Sequence, residues 1–129
     1  MMNAELDITK RSFQFAVRIV KLCRFSEKQN GVPRTLENQL LRAGTSIGAN
    51  IEEAQAGQSK ADFTAKMSIA RKEARETLYW LRLLKAAEIL EADKLNDITK
   101  EADELVCILT SIVKTSQTGR STSGTNAKG

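Results

Sequence analysis

The chain has a single proline, Pro33, among its 129 residues. Proline and glycine are the strongest breakers of regular structure, and proteins made of short strands need breakers at every turn. Because long stretches of this sequence have none, the chain is predicted to form a few long helices. Aromatic residues make up 5% and charged residues 28%, a balance typical of amphipathic helices. A chain of this length fits one domain with its own hydrophobic core.

Apolar residues recur at steps of three and four along four segments of the chain, which is the spacing of one helix face. In the third segment the steps of four and three alternate from Phe63 to Leu84. This heptad pattern suits the left-handed packing of helix bundles. The apolar pattern therefore predicts four helices, over residues 4–28, 35–56, 60–90 and 92–116.

The breaks between the predicted helices are short and carry ordinary end signals. Gly31 and Pro33 end the first helix, because glycine accepts the left-handed conformation there and proline cannot continue the helix. Ser59 and Asp62 have the spacing that starts a helix. Such short joints favour antiparallel neighbours. The predicted fold is an all-α, antiparallel up-down four-helix bundle of residues 1–117.

Both ends of the chain are polar. Residues 118–129 contain no large apolar side chain, so this tail is predicted to be disordered. The N-terminal residues MMNAELDITKRSF lack the apolar region of a signal peptide. No apolar run approaches the roughly 20 residues that a membrane span needs. We therefore expect a cytoplasmic protein that does not associate with a membrane.

Two of the predicted helices carry more apolar surface than a lone bundle can bury. The apolar face of the first helix covers about 180°, whereas a bundle helix needs a stripe a little over 100° wide. The third helix has a second apolar set beside its heptad seam. We expect self-association to cover this surplus. The expected interface residues are Phe13, Ile69, Trp80 and Leu83.

Gly44 and Gly48 lie one turn apart inside the second predicted helix. A glycine inside a helix costs about 1 kcal/mol relative to alanine, so two of them indicate a specific requirement. The favoured interpretation is close packing, in which a neighbouring helix or an oligomer partner approaches this face. The alternative interpretation is a notch that binds a ligand.

The net charge of +4 is distributed unevenly, since the first and third predicted helices are basic and the fourth is acidic. Phosphate backbones are attracted to basic helix edges without base contacts. The alternative is a solvated face whose bases pair with acids of the same helix, such as Glu73 and Glu76. No aromatic residue is interleaved with the bases, so a base-stacking platform is not expected. The candidate nucleic-acid-binding residues are Arg18, Lys21, Arg24, Arg71, Lys72 and Arg75.

The residues typical of catalysis are poorly represented. The chain has no histidine, which removes the commonest general base and the commonest transition-metal ligand. Cys23 and Cys107 lack the spacing of a metal site and are expected to be free thiols. We therefore predict a protein that is not an enzyme and has no metal site, cofactor or small-molecule substrate.

Two segments of the sequence are distinctive. One is LLRAGTSIGANIEEA at residues 40–54, and the other is KMSIARKEARETLYWLRLL at residues 66–84, which follows Asp62 and Phe63. Together they resemble the four helix bundle protein family, also called the 23S rRNA intervening-sequence protein family. The resemblance covers roughly residues 5–116.

The resemblance implies an up-down bundle assembled as a ring, commonly a homopentamer. A related branch, the accessory variability determinant of diversity-generating retroelements, has a similar fold and forms a basic pentamer associated with reverse transcriptase and nucleic acid. The present sequence is more similar to the general family pattern than to that branch. The family has no established catalytic residues that could be carried over.

The sequence therefore favours a non-enzymatic, ring-forming homo-oligomer that binds RNA or other nucleic acid through basic helix faces. The alternative is a scaffold that binds a protein partner, with basic faces that serve solubility or an acidic partner.

Overall fold

A computed structural model describes the backbone of residues 4–128 and the side chains of residues 8–118. These residues contain no strand, which confirms the predicted all-α class. All four predicted helices are present, and their bounds differ from the prediction mainly at the C-terminal ends of the last two. The helices are α1 (Ala4–Glu27), α2 (Arg34–Gln55), α3 (Lys60–Ala86) and α4 (Ala92–Lys128).

The C-terminus of α3 lies at Ala86, earlier than the predicted end at residue 90. Glu88 adopts a left-handed backbone conformation, with φ of 57°. The Glu88 N–H donates to the Lys85 carbonyl, and the Ile89 N–H donates to the Leu84 carbonyl. This pair of bonds is the Schellman arrangement that ends many helices. Because glycine usually occupies the left-handed position, the glutamate gave no end signal in the sequence.

The C-terminus of α4 lies at Lys128, past the predicted end near residue 116. No proline follows Ala92, so the backbone hydrogen bonds of the helix can continue. Ser116 is the last buried side chain among those described. The side chains of residues 119–129 lie outside the described residues, and the predicted disorder of the tail stays a prediction.

Each helix packs against the next one in the chain, and α1 also contacts α4. At the described residues α1 has no close backbone approach to α3, nor α2 to α4, so these pairs lie across the bundle. Contacts between α1 and α2 join the first half of each helix to the second half of the other. In α1, Ser12 lies against Gly48, whereas Cys23 Sγ lies 3.9 Å from the carbonyl oxygen of Glu37.

The heptad seam of α3 lies in the centre of the core. Of the seven seam positions, only Phe63 is half-buried and the other six are buried. Thr77, the polar member, is satisfied because its hydroxyl donates to the Glu73 carbonyl at 2.8 Å. Large side chains from the other three helices fill the space around the seam, and they include Ile8, Phe15, Ile19, Ile47, Ile51, Leu105, Leu109 and Val113.

The two glycines of α2 mark the closest approach between α1 and α2. A Cβ atom at Gly44 would lie 2.8 Å from Cγ1 of Ile19, closer than side-chain carbons can pack. A Cβ atom at Gly48 would lie 3.3 Å from the backbone oxygen of Ser12. The partner at both glycines is therefore a helix of the same chain.

An ion-pair cluster joins α1 to α4. The guanidinium of Arg11 donates to both carboxylate oxygens of Glu101, at 3.1 and 2.8 Å, and to Glu104 at 2.8 Å. The hydrogen bonds to Glu101 are the main cause of the raised pKa of Arg11. The bidentate geometry makes the Arg11–Glu101 pair more specific than a single contact between two flexible side chains.

Glu88→Gly is expected to stabilise the protein. The left-handed conformation costs about 1–2 kcal/mol for a residue with a Cβ atom, and glycine removes this cost. Glycine also makes the unfolded chain more flexible, which offsets part of the stabilisation. The net effect should be about 1 kcal/mol, measured as the free energy of unfolding in urea.

The matched control is Ala87→Gly. Ala87 precedes Glu88 and has an ordinary φ of −84°, so glycine brings only its entropic cost there and should lower the stability. A destabilised Glu88→Gly variant would contradict the role assigned to the left-handed residue.

Candidate nucleic-acid interface

The outer face of α1 is apolar along its middle. Because Ser12 and Ile19 face α2, the opposite side of the helix points away from the bundle. Phe13 is 60% exposed there, and Val17 and Val20 are exposed beside it. With Ala16, Lys21 and Arg24 these residues line a shallow groove of about 340 Å³. The exposed apolar surface of α1 is thus directly adjacent to basic side chains.

A basic group surrounds Phe25 near the C-terminus of α1. Lys21, Arg24 and Lys28 line a cavity of about 270 Å³ together with the half-buried Phe25 ring. From α4, Lys94 places its Nζ 5.0 Å from the centre of that ring, within cation–π distance. None of the four cations forms an ion pair with any described residue. We call these five residues the Phe25 group.

The Phe25 group corrects one expectation from the sequence. An aromatic side chain does lie among the bases, since Phe25 lines the same cavity as Arg24 and Lys28. Lys94 was missed because it belongs to the acidic fourth helix and is about 70 residues distant in sequence. Only the packing of α4 beside α1 brings it to the ring.

The predicted basic residues fall into two separate sets. On α1, Lys21 and Arg24 belong to the Phe25 group, and Arg18 is exposed. On α3, Lys72 and Arg75 are exposed and Arg71 is half-buried. Because α1 and α3 lie across the bundle, the fold of one chain does not bring the two sets together.

A charged cluster between α2 and α3 was not foreseen. Arg42 of α2 donates to Glu73 at 3.2 Å and also to Glu76. Trp80 Nε1 donates to Glu76 at 3.1 Å, and the Trp80 ring meets Tyr79 edge-on with centroids 5.2 Å apart. The alternative interpretation paired these glutamates with bases of their own helix, whereas the structure pairs both with Arg42 of the neighbouring helix.

The acid at the centre of this cluster has a shifted pKa. The hydrogen bond from Trp80, followed by the one from Arg42, holds the pKa of Glu76 below its usual range, and nearby Lys72 acts in the same direction. The same contact with Glu76 is the main cause of the raised pKa of Arg42. Glu73 and Glu76 thus neutralise Arg42. Because both carboxylates are already paired, they are less available to the exposed bases of α3.

The residues expected at an oligomer interface differ in exposure. Phe13 and Ile69 are exposed, Leu83 is half-buried, and the half-buried Trp80 packs against the core of its own chain. Gly44 and Gly48 are buried against α1. The accessible apolar surface therefore lies at Phe13, Val17 and Val20 on α1, at Leu41 on α2, and at Ile69 and Tyr79 on α3.

The two thiols differ in environment. Cys23 is buried, and burial, followed by the charges of Glu37 and Glu27, raises the pKa of its thiol to about 11. Cys107 is exposed on α4. No cluster of three potential metal ligands occurs among the described residues, and no described helix is long and apolar enough to cross a membrane.

The fold and the basic grooves define a four-helix bundle protein with charged outer faces. The chain belongs to the 23S rRNA-intervening sequence protein family, whose family model matches residues 4–111. This confirms the resemblance noted in the sequence.

A solved relative has the same fold. The 1.70 Å crystal structure of a protein of unknown function from the S23 ribosomal protein family of Bacteroides thetaiotaomicron is 42% identical to this chain. The TM-score is 0.81, and the match covers 87% of this chain and 99% of that one. No curated protein matches this chain.

The single tryptophan, Trp80, should report the ionisation of Glu76. We expect its fluorescence to change on acid titration with an apparent pKa below the ordinary glutamate value of about 4.3. Because the folded-state pKa of Glu76 is lowered, its stabilising contribution exists above the unfolded-state pKa and is lost as pH falls through the folded-state pKa.

Glu76→Gln should abolish this transition, and Glu73→Gln, which keeps the bond from Trp80, should retain it. Helical circular dichroism recorded in the same titration separates this local change from acid unfolding. An unchanged transition in Glu76→Gln would refute the assignment.

Proposed function

We propose that this protein is a non-enzymatic, antiparallel up-down four-helix bundle that assembles as a ring and binds RNA or other nucleic acid through basic helix faces. The observation that carries the proposal is the Phe25 group. Three cations of α1 line one cavity with the half-buried Phe25 ring, Lys94 of α4 lies over that ring, and none of the four forms an ion pair with a described acid.

The chemistry of the Phe25 group suits a phosphate backbone. Lysine and arginine side chains neutralise phosphates and release counterions, and this needs no contact with bases. Because Lys94 already lies over the Phe25 ring, the ring supports the ammonium group more readily than it stacks on a base. Binding should therefore tolerate many sequences and weaken as salt rises.

The placement of the apolar surfaces supports a ring. Most of the exposed large apolar residues lie on α1 and α3, which lie across the bundle from each other, and Leu41 of α2 is also exposed. A contact that joins two different faces is heterologous, and repeated heterologous contacts form a ring when the rotation between subunits closes and a filament when it does not. In a pentamer, five copies of +4 give about +20, so weak phosphate contacts add through avidity.

Self-association is tested by light scattering. At 14.3 kDa per chain, a pentamer has a mass of about 72 kDa. Val17→Glu places a charge in the exposed apolar groove of α1 and should reduce the mass, because a buried unpaired charge is costly. Lys60→Glu, an exposed position at the start of α3, is the control and should leave the mass unchanged.

A monomeric mass of the native protein at micromolar concentration would contradict the ring. A native mass other than five chains would contradict the pentamer but keep self-association.

Nucleic-acid binding is tested by charge reversal within the Phe25 group. Arg24→Glu together with Lys94→Glu should weaken the binding of single-stranded RNA at least tenfold. For each phosphate that is no longer neutralised, the slope of log K against log salt should also fall by about 0.7. The measurement is fluorescence anisotropy of a labelled RNA at several salt concentrations.

The matched control reverses two exposed bases outside the group, Lys60 and Lys114, so that the net charge changes equally. The proposal would be refuted if RNA affinity did not depend on salt concentration, or if charge reversal at Arg24 and Lys94 left it unchanged.

The second candidate is a scaffold that binds a protein partner. The exposed apolar residues Phe13, Tyr79 and Ile69 favour it, since surfaces of this kind also serve protein interfaces. The absorbance ratio at 260 and 280 nm of the purified native oligomer separates the two candidates. Nuclease-sensitive material favours nucleic acid, and a nuclease-resistant protein that copurifies specifically favours the scaffold.

A further inference from the structure

A second basic groove lies on another face of the bundle, between the last turns of α3 and the first half of α4. Its volume is about 480 Å³, larger than the cavity of the Phe25 group. None of the candidate residues chosen from the sequence lines it. The polar side chains that line it are Arg82, Lys85, Asn96, Thr99, Lys100 and Asp103.

The charges of this groove are unpaired. Arg82 and Lys85 lie three residues apart on α3, and Lys100 faces them from α4. None of them forms an ion pair with a described residue, whereas Arg11 and Arg42 are each held by two glutamates. Asp103 is also unpaired, so three positive charges and one negative charge give the lining a net charge of +2.

Thr99 adds an unsatisfied hydroxyl to the same place. Its side chain lines the groove, and its Oγ1 is buried without a hydrogen-bond partner among the described residues. An unpaired buried hydroxyl costs about 1–3 kcal/mol, so it usually has a reason. Threonine in a helix populates two χ1 rotamers, and rotation about χ1 moves its hydroxyl to a different staggered position. Thr99 can therefore donate to a ligand held by the neighbouring cations.

We propose that the α3–α4 groove is a binding site for a phosphate group. Arg82, Lys85 and Lys100 supply the charge, and Asn96 and Thr99 supply neutral donors. The phosphate is either a phosphodiester of a nucleic acid or free inorganic phosphate, since the recognising chemistry is the same. The site itself does not depend on the ring, and it rests on the proposed function only where the phosphate belongs to nucleic acid.

Asp103 distinguishes a phosphate-binding site from a basic face that is only solvated. Its carboxylate lies in the groove lining and opposes a bound anion. Asp103→Asn keeps the shape and raises the net charge of the lining from +2 to +3. Phosphate should therefore bind this variant more tightly than the native protein.

The test is an NMR titration of the intact, deuterated oligomer with sodium phosphate at constant ionic strength, balanced with chloride. The backbone amides of Asn96, Thr99 and Lys100 should shift on binding. Arg82→Gln and Lys100→Gln should each weaken binding about fivefold or more, and Asp103→Asn should strengthen it about threefold. Lys114→Gln removes the same charge from α4 outside the groove and should change binding less than twofold.

Thr99→Val separates the hydroxyl from the shape of the side chain. Removing an unsatisfied buried hydroxyl should leave the free protein as stable as before or more stable. The same change should weaken phosphate binding, because the donor is lost. Native affinity in Thr99→Val would overturn the assignment of Thr99.

A parallel titration with a single-stranded RNA oligonucleotide identifies the source of the phosphate. Shifts at the three amides with RNA alone assign the site to a phosphodiester. Shifts with inorganic phosphate in a protein that does not bind RNA support the site and refute the proposed function. The site is refuted if neither ligand shifts these amides at millimolar phosphate and saturating RNA, or if Lys114→Gln weakens binding as much as Lys100→Gln.

Discussion

The close approach of α1 to α2 governs the surfaces of this protein. Gly44 leaves room for Ile19, and Gly48 leaves room for the backbone at Ser12. A side chain larger than hydrogen at Gly44 would push the helices apart and open the core, which is costly in a densely packed interior. Because this contact fixes the rotation of α1 about its axis, it also determines that Phe13, Val17 and Arg24 face outward.

The ion pairs between helices determine which cations remain available. Arg11 is held by two acids of α4, and Arg42 by two acids of α3. These pairs join neighbouring helices and balance the positive charges of Arg11 and Arg42. Two groups of basic residues without ion-pair partners in the described part of the chain lie at the end of the bundle where α1 and α3 finish and α4 begins. There α4 lies between two grooves and contributes Lys94 to one and Lys100 to the other.

Part of the candidate interface was predictable and part was not. Lys21 and Arg24 were found from the sequence because they lie on the polar side of an amphipathic helix, and helical periodicity places such residues reliably. Lys94 and Arg42 were not found, because their partners lie on other helices and local sequence patterns do not show which helices pack together. The α3–α4 groove was missed for the same reason, since Arg82 and Lys100 come from two helices and the net charge of α4 pointed away from a basic site.

The sequence by itself determined the number of helices, most of their bounds and the buried face of each. These follow from apolar spacing and backbone breakers, which act over a few residues. The end of α3 at Ala86 departed from the local rule because a glutamate took the left-handed position where glycine was expected. The tertiary structure alone decided that α1 and α3 lie across the bundle, that Arg11 and Arg42 are neutralised, and that some of the other cations line two separate grooves. The physical reason is that a charge is neutralised by whichever acid the packing brings within a few ångströms, and packing depends on all four helices at once.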